Sequence, residues 1–132
     1  MATNQHQNLE HEQILHEMLE QFQPVFDKSP FGLYLYLDDV HKICNDKMAR
    51  MFGLKPQEWA ATETFLADFV SEEDQEMFAN KYQHQITGLA HPLTFRFHGK
   101  RKDGSVFLAE TDMIPISWRG YPIAYHFVHE VM

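Results

Sequence analysis

The residues of this 132-residue chain that could carry chemistry are one cysteine, nine histidines and nineteen carboxylates. A nucleophilic cysteine needs a neighbour that favours the thiolate. Cys44 lies in an apolar run with no such neighbour in the sequence, so a buried, inert thiol is expected. No Gly-x-Ser-x-Gly, P-loop or Gly-x-Gly-x-x-Gly motif is present. The pair Glu72-Glu73 sits at a helix start, where the dipole favours negative charge, and reads as a cap rather than an acid/base pair. A helical zinc pair needs His at i and i+4. His11 and His16 are five apart, and neither lies four from His6. His126 and His129, three apart on a strand, face opposite sides. The histidines therefore read as scattered surface residues. No metal site and no enzymatic activity are expected.

Composition narrows the partners. Eleven Lys and Arg against nineteen Asp and Glu leave a formal charge of −8, which opposes broad nucleic-acid binding. No apolar run approaches the roughly 20 residues of a membrane helix, so no membrane insertion is expected. The polar, acidic first twelve residues do not resemble a signal peptide. A single cysteine excludes an intrachain disulfide and suits a cytoplasmic protein. The length fits one domain. Aromatics at 14% suit either a packed core or an apolar pocket.

The elements that would position these residues follow from periodicity. Residues 1–8 are polar and read as a disordered tail. Residues 9–26 read as an amphipathic helix, with Leu15, Met18, Phe22 and Val25 spaced as a seam. His11 and Asn8 would continue that seam as solvated positions. Two readings stand: the helix packs on its own domain, or it also pairs with a second chain to form a homodimer. Pro24 and Pro30 bracket a linker. Residues 31–37 alternate, with Leu33, Leu35 and Leu37 on one face and Tyr34 and Tyr36 on the other. Asp38-Asp39 turns the chain into a short second strand. Asn45 or Asp46 can cap the next helix, which Gly53 ends. Short helices follow around Trp59 and around Phe65 and Phe69. Ser71 to Asp74 resembles a capping box. Phe78, Tyr82, Gln85 and Ile86 line one face of a longer helix. Lys102-Asp103-Gly104-Ser105 reads as a hairpin turn between two of three final strands. The order implies an α+β domain over residues 29–131: a five-stranded antiparallel sheet with helices packed on one face, preceded by the N-terminal helix.

Several runs in this order form a recognisable set. They are Ser29-Pro30-Phe31-Gly32-Leu33, Cys44-Asn45, Phe52-Gly53 followed by Glu58, and Phe69-Val70-Ser71-Glu72-Glu73-Asp74. Arg96, Arg101-Lys102-Asp103-Gly104-Ser105, Pro115-Ile116, Gly120 and Glu130-Val131 complete it. Together they resemble the PAS family of sensor domains. The resemblance implies a sheet cupping a small cavity, a flanking helix, and a sensory and dimerisation role as the input domain of a larger regulator such as a sensor kinase or a cyclic-dinucleotide enzyme. The alternative is a structural interaction domain that senses nothing. An output domain beyond Met132 and a stand-alone domain are both compatible with this reading.

The resemblance also nominates cavity residues: His41, Ile43, Phe52, Trp59, Phe65, Phe69, Phe78, Tyr82, Phe95, Phe97, Phe107, Tyr125 and Phe127. These line a small-ligand pocket in one reading and fill the core in the other. Flavin-binding relatives carry Asn-Cys-Arg-Phe, which is absent here. A group of haem-binding relatives places a His early in the long helix, where this chain has residues 75–80 without one. Haem and flavin are therefore not expected; a small apolar or aromatic ligand and a filled core without one both stay open. His41 departs from the aliphatic residue usual at its place. It is solvent-exposed, paired in the core or in contact with a ligand, and the turn's missing Gly leaves the strand register open.

Overall fold

Alternation sets the faces of the sheet. Strand β1 (Gly32–Asp38) points Leu33 and Leu35 to one side and Tyr34 and Tyr36 to the other. It pairs antiparallel with β2 (His41–Cys44) and with β5 (Tyr121–Glu130). Strand β4 (Val106–Trp118) joins β5 to β3 (Leu93–Lys100), giving the order β2-β1-β5-β4-β3. The structure, a computed structural model, describes residues 2–88 and 92–131. The side chains of residues 1–8 and 84–91 lie outside that description, and with them the expected positions of Asn8, Gln85 and Ile86.

Helices cover both faces. The first, α1 (Ala2–Lys28), takes in residues 2–8, for which the sequence suggests disorder, and passes through Pro24. No Pro or Gly interrupts residues 2–23, so no strong breaker precedes that point. Its buried residues are His11, Ile14, Met18 and Phe26, with Phe22 half-buried beside them. Leu15 is half-buried, and Val25 is 47% exposed. The buried stripe thus follows 3- and 4-residue steps set by a sheet surface and takes in Met18 and Phe22 of the expected seam, while Leu15 and Val25 lie outside it. Met18 and Phe22 pack against Leu33, Leu35, Ile123 and Tyr125 of the same chain. Among the described residues no helix is long and apolar enough to cross a membrane.

The opposite face carries α2 (Asp46–Met51), α3 (Pro56–Ala61), α4 (Phe65–Phe69), a 3₁₀ turn (Glu72–Asp74) and α5 (Gln75–Gly88). Asn45 ties these elements to β1 and α1. Its Oδ1 accepts from the N–H groups of Met48 and Leu33, each at 3.0 Å. Its Nδ2 donates to the carbonyls of Phe31 at 3.0 Å and Phe26 at 3.3 Å. One buried amide therefore caps α2, starts β1 and holds the end of α1. The expected capping box at Ser71 does not form. The Ser71 hydroxyl lacks a partner, and Asp74 accepts instead from the backbone and ring nitrogens of His98 on β3. The sheet edge competes successfully for that carboxylate.

Two turns differ from simple expectation. Between β1 and β2 the register slips by one residue between Tyr36 and Asp38, a bulge where the turn lacks Gly. Between β3 and β4 the loop is closed by Arg101 and Ser105, whose backbone N–H and carbonyl lie 2.8 Å apart, so it spans three residues instead of two. Gly104 has φ +88°, a conformation that side chains resist.

Gly104→Val is expected to lower stability by about 1 kcal/mol, read from urea unfolding. Asn45→Ala is expected to cost about 3 kcal/mol, because it removes a cap and strands buried backbone groups. The same unfolding curves check it.

Candidate functional site

The sheet face covered by α2 to α5 is not filled at one end. Tyr34 and Tyr36 of β1, His126 of β5, Phe65 and Leu66 of α4, and Gln75, Phe78 and Tyr82 of α5 surround a cavity of about 390 Å³. Asp39 lies at its rim. Aromatic rings make the walls. The Tyr34 ring stacks on the His126 imidazole at 3.9 Å between centroids. Tyr36 meets Tyr82 edge-on at 5.1 Å and Phe65 edge-on at 5.5 Å. Phe65 and Phe78 close the far side, 5.5 Å apart.

The polar groups in this wall are few and unequal. Gln75 is spent on the structure, donating to the carbonyls of Leu66 and Val70. The Tyr36 hydroxyl donates to Asp39 Oδ1 at 2.5 Å. His126 Nδ1 lies 3.3 Å from the Thr111 hydroxyl. The Tyr34 hydroxyl is buried and has no partner among the described residues. Other buried groups also lack partners, on Glu17, Trp59, Ser71 and Trp118, but none of those residues lines the cavity. An unpartnered buried hydroxyl costs roughly 1–3 kcal/mol, and the Tyr34 oxygen has almost no accessible surface, so an atom in the cavity reaches it only when the wall shifts.

The titratable rings of the wall are held neutral. Burial pushes the His126 pKa down to about 3, so its imidazole is neutral in ordinary conditions. Burial raises Tyr34 well above the usual phenol value. Burial, reinforced by the hydrogen bond to Asp39, raises Tyr36. Burial and then the charges of Asp38 and Asp39 push Tyr82 up to about 12. Lys42, also buried, turns its ammonium to the carbonyls of Asp39 and Thr62. Burial lowers its pKa. A second, larger groove of about 620 Å³ lies between α1, α2 and α3, but Asp27, Asp46, Lys47 and Arg50 make it a charged, solvated surface.

The nominated residues fall into three groups. Phe65, Phe78 and Tyr82 line the cavity. Phe52, Trp59, Phe69, Phe95, Phe97 and Phe107 share its face but pack as core beside it. His41, Ile43, Tyr125 and Phe127 do not belong to the cavity. Tyr34 pairs with Cys44 and with His126, so those residues share its face and their strand neighbours point towards α1. Tyr34, Tyr36, His126 and Asp39 were not nominated. The alternation of β1 separates the two tyrosines from the leucines, yet says nothing of which face the short helices cover.

Only part of the histidine set lies on the surface: His16 and His129 are exposed and His98 is half-buried. His11, His41 and His126 are all buried. His41 is 6% exposed, and its ring Nδ1 lies 2.8 Å from Asp38 Oδ1, which selects the paired core position among the three open readings. His11 reaches the same carboxylate at 2.9 Å and is not the solvated seam residue expected. Cys44 is buried, and burial pushes its thiol pKa up.

Comparison with known proteins agrees with this architecture. A family model described as PAS fold matches residues 41–129. The chain is similar to a solved PAS domain from a two-component sensor histidine kinase, at 16% identity and TM-score 0.66, covering 88% of this chain and 99% of that one. It is similar to the PAS domain of an HTR-like protein from Haloarcula marismortui, at 19% identity and TM-score 0.64, covering 91% and 97%. A third solved relative is the PAS domain, in complex with ethanol, of a LuxR-family transcriptional regulator from Burkholderia thailandensis. There the identity is 16%, the TM-score 0.65 and the coverage 83% and 96%. No curated protein matches the chain.

The depressed pKa of His126 makes an acid-side prediction. The unfolded chain binds this proton near pH 6.5 and the folded one near 3. Between those values the unfolded state holds more protons, so stability falls as pH is lowered through the window. The loss approaches roughly 1.4 kcal/mol per pH unit for this one group. His126→Phe, which keeps a ring against Tyr34, is expected to remove that part of the slope in urea unfolding between pH 6.5 and 4.

Proposed function

The chain belongs to the PAS-fold family, and from that premise we propose that it senses a small uncharged molecule in the cavity between β1, β5, α4 and α5. PAS domains are sensory modules of histidine kinases and other regulators. The reading for this chain is an input domain that passes occupancy of the cavity to a larger signalling protein.

The observation that carries the proposal is the unpartnered Tyr34 hydroxyl. It is held against a neutral imidazole in an aromatic wall, so it selects a ligand with a hydrogen-bonding group on an otherwise apolar or aromatic body. A volume of about 390 Å³ lies at the small end of ligand pockets, which run roughly 300–1,000 Å³. The ethanol held by the Burkholderia thailandensis PAS domain is a hydroxyl ligand of small size. It supports the chemical class, not the identity.

Transmission has a short path. Tyr34 faces the cavity, and its neighbours Leu33 and Leu35 pack on the α1 side of the same strand. A shift of β1 that accommodates a ligand therefore changes the seat of α1, and the cue acts by its differential affinity for the two seatings. Helix α1 keeps Leu9, Leu19 and Val25 exposed. They point to different sides of the helix, so a second copy packed along α1 to form a homodimer would cover them only in part. At the other end of the domain, Arg101 pairs with Glu130 at 2.7 Å, fixing the end of β5 where the chain leaves the sheet.

Native mass spectrometry of the purified chain tests the reading. Wild type is expected to carry one small molecule per chain, and Tyr34→Phe to carry none. The empty Tyr34→Phe variant is expected to melt several degrees above empty wild type, because the costly hydroxyl is gone. A wild type without added mass, together with a variant that melts lower, would return the chain to a structural interaction role.

A further inference from the structure

We propose that His11, Asp38 and His41 form a binding site for a divalent transition-metal ion that fastens α1 to the sheet. The three residues come from α1, β1 and β2 and meet on the face away from the cavity. Each offers one ligand atom, and those atoms lie within 4.8 Å of one another. His11 Nδ1 is 2.9 Å from Asp38 Oδ2, and His41 Nδ1 is 2.8 Å from Oδ1 and 2.9 Å from Oδ2. The two imidazole rings stand nearly perpendicular, 83° between planes and 5.2 Å between centroids. Two nitrogens and one carboxylate oxygen suit Zn²⁺, Co²⁺ or Ni²⁺.

The carboxylate is also oriented before any ion arrives. The bulge after Tyr36 turns Asp38 to the α1 side, and the backbone N–H groups of Val40 and His41 hold its Oδ1 at 3.0 and 2.8 Å. Such outer contacts orient metal ligands. The His11 ring is fixed further by an edge contact with Tyr121 at 5.2 Å. Both imidazoles are buried, while the Asp38 side chain is 39% exposed, which leaves a solvent-facing side for a fourth ligand such as water.

In the metal-free state each imidazole donates its Nδ1 proton to Asp38. On binding, each ring presents its Nδ1 lone pair to the ion, and the Nδ1 proton passes to a free Nε2 of the same ring or to solvent. Metal–ligand bonds of about 2.0–2.1 Å widen the nitrogen–oxygen separations to roughly 3.3 Å, a small outward adjustment of rings already aimed at one point. The ion then adds bonds between α1 and the sheet that the hydrogen bonds alone do not supply.

Isothermal titration of the full chain with Zn²⁺ is expected to show one ion per chain. His11→Gln and His41→Gln should each weaken binding at least 100-fold. His98→Gln, in the half-buried Glu73–Asp74–His98 cluster, and His16→Gln should leave it unchanged. Hydrogen exchange along α1 should slow at least tenfold with saturating Zn²⁺ in wild type and not in His11→Gln. Co²⁺ added to wild type, which needs no variant to fold, should develop the visible bands of a low-coordinate nitrogen–oxygen site and lose them to Zn²⁺. A Co²⁺ spectrum identical to the free ion, a Zn²⁺ event that survives both His11→Gln and His41→Gln, or one abolished by His98→Gln would overturn the proposal.

Discussion

A sheet that is apolar on both faces must be covered on both, and this constraint organises the whole chain. On β1 the residues Leu33, Tyr34 and Leu35 are each at most 1% exposed although they alternate in direction. One layer of helices cannot satisfy such a strand. The long α1 covers the leucine face, and α2 to α5 cover the tyrosine face. At about 25 cal/mol per Å² of apolar surface, leaving either face wet would cost more than the short helices contribute by themselves.

The two coverings are joined at few points, and polar side chains make the joints. Asn45 links the end of α1, the start of β1 and the start of α2 through four hydrogen bonds. Asp38 links α1 to the β1–β2 turn through His11 and His41. The faces differ in how well they are filled. The α1 side closes over interlocked aliphatic and aromatic residues. The other side brings short helices over large rings, and between Tyr34, Tyr36, Phe78, Tyr82 and His126 a cavity and an unsatisfied hydroxyl remain. The proposed sensory role would sit there, because occupancy of that space would bear on a strand whose other side seats α1.

Much of the fold was legible in the residues. Period-two alternation in β1, the capping role of Asn45, the turn at Asp103-Gly104 and the order of elements follow from local chemistry. The choice of faces was not legible, because alternation separates the tyrosines from the leucines without saying which helices lie over which. That is why Tyr125 and Phe127 were placed in the cavity while Tyr34 and His126 were passed over. The stripe on α1 was half legible: Met18 and Phe22 belong to the sheet-facing stripe, whereas Leu15 and Val25 of the same expected seam do not. The meeting of His11 with His41 had no local signal. It depends on a helix docked across 27 residues of sequence from Asp38 and on a bulge that reorients one carboxylate.

The central claim is that the Tyr34 hydroxyl is kept unpaired by the protein so that a ligand can pair it. The most direct measurement is a high-resolution crystal structure of the chain as purified, read at the cavity. The account predicts density for a small organic molecule with an atom at hydrogen-bond distance from Tyr34 Oη, inside the ring of Phe65, Phe78 and Tyr82. A cavity closed by side-chain collapse, with Tyr34 bonded to a protein group or to a lone water, would contradict it.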